Sequence, residues 1–449
     1  MEILIYAGQL ILGLSILVAL HEFGHFLPAK IFGMRVDKFF LFFDAPYAIV
    51  KKKIGETVYG IGCLPFGGYV KIAGMVDESM DAEQKERMKA PPEPWEFRAK
   101  PVWQRLIVMV GGVTMNLILG FAIYAMVLFV WGRSYIPMDK MPFGIEASQL
   151  MERQGFKDGD KVVEVPGHDC RTIQDVTVAM LIYDAREVVV ERKGERKTIT
   201  LSPDIQDSIM ESGTKAQFDM RFPFFVDSII PKQGADIARS FRKGDHVVMV
   251  GDKLTPWFGD FVDAVQKYKG REAIVTVVRE GHEVKIPVAV NKDGQVGLGN
   301  QSLKDMKSFK GAVVESRYGL LASIPAGLRY GWEQLRLNVM SFKLLFRKSG
   351  VKQMSGLGGM AMAYGAYWDW AHFWSTTAFL SFALAFLNIL PIPALDGGHV
   401  VFLLYEAVAR KPASQKVMEY AQMAGMVFLL TVIIAVNGHD IVKIITGRL

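Results

Sequence analysis

His21-Glu22-Phe23-Gly24-His25 is the segment of this chain whose residue types and spacing could do metal chemistry. On a helix, positions i and i+4 share a face, so both imidazoles can reach one metal ion. Glu22 projects beside them, where it can take a proton from water activated at that ion. Zinc suits such a donor set: a catalytic zinc takes three protein ligands and leaves one position open. The motif closes an uncharged run from Ile3 to Leu20. Ionisable groups at such a place are expensive, about 2.5–3.5 kcal/mol for a charged residue at a bilayer centre, and tend to mark function.

A third ligand has to come from elsewhere, and the stretch Asn388-Ile389-Leu390-Pro391-Ile392-Pro393-Ala394-Leu395-Asp396-Gly397-Gly398-His399 offers one. Pro391 and Pro393 break a helix there and free backbone polar groups, which a membrane tolerates only around a protein-lined or wet cavity. Asp396 can supply an oxygen at that break. His399 competes on chemistry alone, and the Gly397-Gly398 pair leaves its direction open.

The elements that must position these groups follow from where the apolar residues lie. The chain has 449 residues, 51% of them hydrophobic and only 22% charged, and the apolar residues are blocked rather than dispersed. Besides Ile3–Leu20, uncharged runs cover Leu106–Gly132, Phe373–Leu395 and Tyr420–His439. About 20 apolar residues make a helix that crosses the hydrocarbon core, so four spans are expected. The first lacks a basic leader and a small-residue cleavage site and is expected to be retained. The loop after it carries Lys30, Arg35, Lys38, Lys51-Lys52-Lys53, Lys100 and Arg105, and the last loop carries Arg410, Lys411 and Lys416. The positive-inside tendency puts both loops in the cytoplasm, with the N-terminus and residues 133–372 outside. On that topology His21 lies roughly 27 Å from the outer end of span one and Asp396 roughly 35 Å from that of span three, so both reach the cytoplasmic half of the bilayer. The net charge of +6 forms no nucleic-acid patch, and Cys63 and Cys170 fit no metal or redox spacing. On this topology the two cysteines lie on opposite sides and should not pair.

The exterior stretch repeats itself. Phe156-Lys157-Asp158-Gly159-Asp160-Lys161-Val162-Val163-Glu164-Val165 matches Phe241-Arg242-Lys243-Gly244-Asp245-His246-Val247-Val248-Met249-Val250. Each unit predicts a Gly-Asp turn into a strand, a helix, then a hairpin with glycine at its tip. Their spacing resembles tandem PDZ domains, which implies either capture of an extended chain end along a sheet edge or a spacer that limits access. From Leu328 to Phe346, Leu328, Trp332, Leu335, Val339 and Phe342 share a helical face flanked by Arg329, Arg336 and Lys343. That pattern suits a helix on the membrane surface or one packed on a neighbouring domain. Residues 76–100, charged and carrying Pro91, Pro92 and Pro94, are expected to be a coreless cytoplasmic linker.

HEFGH in the first span, NxxPxPxLDGG in the third and paired PDZ-like units together resemble the site-2 protease family of intramembrane zinc metalloproteases. The resemblance implies Zn2+ held by His21, His25 and Asp396, Glu22 as base, and Asn388, Pro391 and Pro393 shaping a substrate cleft. It also implies that the glycine-rich Gly60–Lys71 segment, with Gly67 and Gly68, forms a membrane re-entrant β-hairpin beside the zinc. The implied substrates are single-span proteins of a bacterial inner membrane, already trimmed outside by another protease, such as an anti-sigma factor or signal-peptide remnants. The chain departs from the family pattern at Phe42-Phe43-Asp44, where glycines flank the phenylalanine; the family's Gly-Pro-x-x-Asn in the second span reads Gly112-Val113-Thr114-Met115-Asn116, and its Ser-Gly-Pro before the third reads Ser355-Gly356-Leu357. The expected organisation is a multi-pass α-helical membrane protein with a first membrane half at 1–132. PDZ-like units follow at 133–215 and 216–303, then an amphipathic connecting segment at 304–372 and a second membrane half at 373–449. A non-catalytic PDZ membrane adaptor is the alternative and a metal carrier a further one; neither needs a general base at Glu22.

Overall fold

The computed structural model describes residues 2–65, 67–75, 90–213, 216–229, 240–347, 349–350 and 354–445. One compact unit comprises Met1–Gly132, Arg317–Phe346 and Met354–Leu449; Arg133–Ser316 and Arg347–Gln353 form the other. Four helices, at Ile3–Ile31, Val102–Val130, Trp370–Ile389 and Lys416–Val442, are long and apolar enough to cross a membrane. All four belong to the first unit. Cys63 and Cys170 are free thiols. Residues 76–89 of the expected linker and Phe66 of the glycine-rich segment lie outside the described residues.

The first unit opens with α1 (Glu2–Ile31), which continues well past the metal motif. It crosses α2 (Val102–Val130) where side chains vanish. A methyl on Gly24 would fall 2.3 Å from the Gly111 carbonyl oxygen, and one on Gly111 2.0 Å from that of Gly24. Small residues are what let two membrane helices approach to backbone contact. Between these helices runs a four-stranded sheet of β1 (Val36–Leu41), β2 (Phe43–Ile54), β3 (Thr57–Leu64) and β4 (Tyr69–Ile72), in the order β2-β3-β1-β4. Here the structure differs from the expected hairpin at Gly60–Lys71. Its two halves do not pair with each other: β3 runs parallel to β1 on one side and β4 antiparallel to it on the other. Phe40 explains the insertion, because its ring stacks on Tyr69 at 5.5 Å and fills the space left by Gly60, whose added methyl would lie 2.4 Å from it. The hairpin that does form is β2–β3, turning at Gly55 with φ +61°. The coreless linker also ends early, since Phe97 is buried with Met34, Val36 and Ile72.

In the second unit a strand–helix–hairpin order occurs twice. The first copy contains β5 (Arg133–Tyr135), β6 (Ile145–Ala147), β7 (Lys161–Glu164), α3 (Ile173–Ile182), and the hairpin β8 (Glu187–Arg192) with β9 (Glu195–Thr200). After β10 (Phe218–Met220), the second contains β11 (Phe224–Ile229), β12 (His246–Val250), β13 (Lys253–Leu254), α4 (Phe258–Gln266), and the hairpin β14 (Glu272–Arg279) with β15 (His282–Ala289). Thr172 and Asp175 close a reciprocal cap on α3. The Gly-Asp turns carry one device in duplicate. Buried Asp160 takes two bonds of 2.7 Å from Arg192, and buried Asp245 takes two of 2.7 Å from Arg279. Each arginine also donates to a carbonyl at the equivalent place, Gly155 or Ser240. Both hairpin tips, Gly194 and Gly281, have φ +84°. The expected boundary at 215/216 shifts, because β10 pairs with β6 and Phe218 is buried in the first copy's core. The strand β16 (Leu298–Asn300) pairs with β11, and Met306 and Phe309 are buried in this unit. Finally β17 (Val314–Ser316) pairs with β5, so the connecting segment begins after Ser316 rather than at 304.

The chain re-enters the first unit with α5 (Leu320–Ser341). It packs along α2 with Gly327 on the Ala125 backbone and Gly331 on Phe121. Below it Asn338 donates to the Phe379 carbonyl at 3.1 Å, and Phe342 meets Phe386 at 4.3 Å. Of the apolar residues picked out by periodicity, Leu328, Trp332 and Val339 are exposed, while Leu335 and Phe342 are partly buried. Next come α6 (Leu357–Ala363), α7 (Trp370–Ile389), α8 (Asp396–Ala409) and α9 (Gln415–Ile445). Gly120 of α2 receives Phe382 of α7, and a two-pronged pair joins Arg105 of α2 to Glu406 of α8. The start of α6 is tied to α9: Gly356 N–H donates to Asp440 at 2.8 Å and Leu357 N–H to Asn437 at 3.1 Å.

Candidate metal centre

Helical spacing on α1 brings His21 and His25 edge to face, with ring centroids 4.9 Å apart and Nε2 atoms 3.3 Å apart. Asp396 completes the group from the first residue of α8. Its Oδ2 lies 3.3 Å from His21 Nε2 and 3.4 Å from His25 Nε2. Among the described residues this is the one group of three or more His, Cys, Asp or Glu donors whose ligand atoms all lie within 4.8 Å of one another. His25 Nδ1–H donates to the Val108 carbonyl at 2.8 Å, which leaves the Nε2 lone pair for the site. Asp396 Oδ2 is buried and accepts no hydrogen bond. A buried carboxylate oxygen without a donor, facing two imidazole nitrogens, is costly alone and suits a bound cation. Two neutral nitrogens and one carboxylate oxygen fit zinc, with a fourth position for water or substrate.

The backbone around the group is cut to fit. A methyl at Gly112 would lie 2.4 Å from His25 Nε2 and 2.6 Å from His21 Cε1, so only glycine leaves the imidazoles their place. Asn116, one turn on, sets its amide 3.1 Å from His21 Nδ1. Glu22 accepts from the Val70 backbone N–H of β4. Gly68 lies beside it: an added methyl would come within 3.2 Å of Glu22 Cγ, 2.8 Å of the Phe40 oxygen and 2.7 Å of Val18. Gly67, with φ +153°, packs on Phe43. Sheet and metal group are thus joined through Glu22.

The break before Asp396 has the form the prolines imply. Helix α7 stops at Ile389, Ala394 takes a left-handed φ of +76°, and α8 starts at Asp396. Gly397 and Gly398 lie under the Leu390 and Ile392 carbonyls, where a methyl would come within 2.1 and 2.7 Å. Gly425 of α9 is equally tight, since a methyl there would come within 1.9 Å of the Pro393 oxygen. Pro391 and Pro393 therefore shape the loop that delivers the carboxylate. Asn388, the last polar residue before the break, stands 3.3 Å from His21 Nε2. His399 turns away to Gln422 of α9 at 3.0 Å, which settles its direction against the metal group. Sequence reasoning gave no metal-site role to Gly112, Asn116, Val108 or Val70, although Gly112 and Asn116 stand at the glycine and asparagine of the family pattern in the second span. Asn116 was the detectable one, an amide inside an apolar span.

Comparison with known proteins gives the same direction. The family model described as Peptidase family M50 matches residues 9–432. A Vibrio cholerae protein whose name carries the words zinc metalloprotease is 26% identical over 461 residues, covering 97% of this chain and 98% of its own length. The regulator of sigma E protease of Haemophilus influenzae is 26% identical over 97% of this chain and 98% of its own. The Escherichia coli regulator of sigma-E protease RseP is 27% identical over 94% and 95% respectively.

Proposed function

Because the chain belongs to peptidase family M50 and is a zinc metalloprotease of the site-2 protease type, we propose that His21, His25 and Asp396 are its zinc ligands and Glu22 its general base. The observation that supports this assignment is the convergence of two Nε2 atoms and an unpaired carboxylate oxygen beside a glutamate. Zinc in that position polarises the scissile carbonyl and makes water acidic enough to attack near neutral pH. The protein's own groups do the rest. Glu22 takes the proton of the attacking water and passes it to the departing amine. The Val70 N–H keeps the Glu22 carboxylate turned toward the site. Asn388, next to His21, is placed to donate to a substrate carbonyl.

The substrates we assign are single-span membrane proteins trimmed outside by another protease, with an anti-sigma factor and signal-peptide remnants as examples. Relatives named regulators of sigma-E support that class. A helix hides its carbonyls in its own hydrogen bonds, so cleavage needs the segment drawn out against a strand edge. Gly67 and Gly68, at the β4 edge beside Glu22, offer backbone without side chains for that contact. We assign the sheet to a re-entrant position in the bilayer, supported by exposed Tyr47, Ile49 and Val50 on β2 ahead of Lys51, Lys52 and Lys53. The membrane is a bacterial inner membrane, with the N-terminus and the duplicated PDZ-like units on its periplasmic side and the zinc near the cytoplasmic side.

Glu22→Gln tests the division of roles in purified protein. Cleavage of a single-span substrate should fall by about a hundred- to ten-thousandfold while zinc, measured by metal analysis, stays stoichiometric. Full activity in this variant would remove Glu22 from the mechanism, and loss of zinc would make it structural instead.

A further inference from the structure

The two histidines are not oriented in the same way. His25 is held by the Val108 carbonyl, which fixes the proton on Nδ1. His21 also directs Nε2 at Asp396, so its proton belongs on Nδ1, and the group facing that nitrogen is the Asn116 amide. Asn116 is fully buried, at 0% exposure, in a helix that is otherwise apolar around it. Its Nδ2 is drawn 3.1 Å from His21 Nδ1, while its Oδ1 is buried with no partner. Two N–H groups cannot satisfy each other. Turning the amide over exchanges nearly isosteric atoms and places Oδ1 where His21 Nδ1–H can donate to it. We propose that Asn116 is the positioning residue of His21: its Oδ1 accepts the Nδ1–H and so presents the Nε2 lone pair to the metal. This rests on His21 being a ligand.

The support continues across the membrane helices. Ser381, itself fully buried, donates to the Asn116 carbonyl at 2.7 Å, fixing that turn of α2 against α7. One turn further out, the Thr377 hydroxyl meets the buried Tyr364 hydroxyl at 3.2 Å. Asn116 is thus anchored at its backbone and aimed at its side chain. Partners of this kind orient the ring and raise the basicity of the ligating nitrogen, and their loss typically costs 10–100-fold in metal affinity.

Full-length protein in detergent can be tested as Asn116→Leu, which keeps the size but has no acceptor, and Asn116→Asp, which keeps an oxygen. Zinc retention against a chelator and the visible spectrum of the cobalt-substituted protein are measured, with thermal unfolding as the folding control. The leucine variant should lose zinc about 10–100-fold more readily and show altered cobalt bands, and the aspartate variant should restore both. If the leucine variant does not fold, Asn116→Ala carries the same expectation. Wild-type zinc retention and spectrum in the folded leucine or alanine variant overturn the proposal, as does an aspartate variant no better than leucine. His21→Ala separates the two levels. If it holds zinc like wild type, the ligand assignment fails; if it loses zinc while Asn116→Leu does not, only the positioning role fails.

Discussion

At Gly112 one hydrogen in place of a methyl decides whether two imidazoles can share a metal. A methyl there would sit 2.4 Å from His25 Nε2 with helix backbone behind it, so the ring has to move. Gly112→Ala should therefore strip zinc at chelator concentrations the wild type resists and lower cleavage at least about 100-fold, since misplacement near 1 Å costs that much. Metal content and turnover measured together check it, and a variant with normal zinc would show that the rings can yield. The proposed ligands could be picked out in the sequence because their chemistry is local: HEFGH needs only helical spacing, while the helix break left Asp396 and His399 both open and the family resemblance implied Asp396. Gly112 and Asn116 stand out as the glycine and asparagine of the family pattern in the second span, but their roles depend on the rotation of α2 against α1, which no local signal gives. The departures are equally local in outcome. Phe42 takes φ +68°, a left-handed conformation that suits the glycine of the family pattern better than a phenylalanine. Leu357 uses the N–H that a proline would lack to reach Asn437.

Among the elements, α5 shows what periodicity leaves out. Its close approach to α2 runs through small residues, which let two helix backbones come together, and only part of its apolar stripe packs inward. Ser323, Gly327 and Gly331 are the buried stripe of α5, four residues apart, while Trp332 is 62% exposed. The order of the β1–β4 sheet was illegible for another reason. Alternation sets which face a residue takes, and it does not say which strand slips between two others. In the second unit, by contrast, the 85-residue repeat predicted turn, helix and hairpin in both copies, because Gly-Asp turns and glycine tips are local signals. A contact between the copies is pH-sensitive. Glu146 of β6 is pressed against Gly259 of α4, where an added methyl would lie 2.0 Å from its carboxylate. Burial, then Asp158, Asp260, Asp219 and Asp263 around it, push its carboxyl up to about 7. The folded state therefore holds a proton that the unfolded chain has already released between pH 4.5 and 7, and this contact loses stability as pH rises through that window. Glu146→Gln should raise the thermal midpoint of the second unit at pH 8 and leave it unchanged at pH 4. Equal shifts at both pH values would remove titration as the cause.

Taken whole, the chain is a membrane unit interrupted by the repeat unit, and β5 and β17 bring the two crossings together, with Tyr135 opposite Val314. Removing residues 136–313 and closing the gap with an Asn-Gly turn preserves that pairing. All three proposed ligands lie outside the excised stretch, so zinc should stay bound. If the duplicated units restrict access, substrates with bulky external domains should be cleaved several-fold faster and trimmed ones at an unchanged rate. Collapse of trimmed-substrate cleavage with zinc still present would assign the units to recruitment instead. The sheet beside Glu22 carries a further consequence, which concerns direction. Its two outer strands among the described residues, β2 and β4, flank β3 and β1, run antiparallel to them, and so share one sense. Both run from the Glu22 end, where Gly68 and Phe43 lie, toward the end near Val36, where Thr57 is anchored. A strand added antiparallel to either edge, the pairing that is slightly more stable per residue, enters by its N-terminal side from the lysine end and runs toward the metal. The enzyme would then distinguish the two ways a single-span protein can be threaded through a membrane, favouring chains whose N-terminus lies on the side where α1 ends.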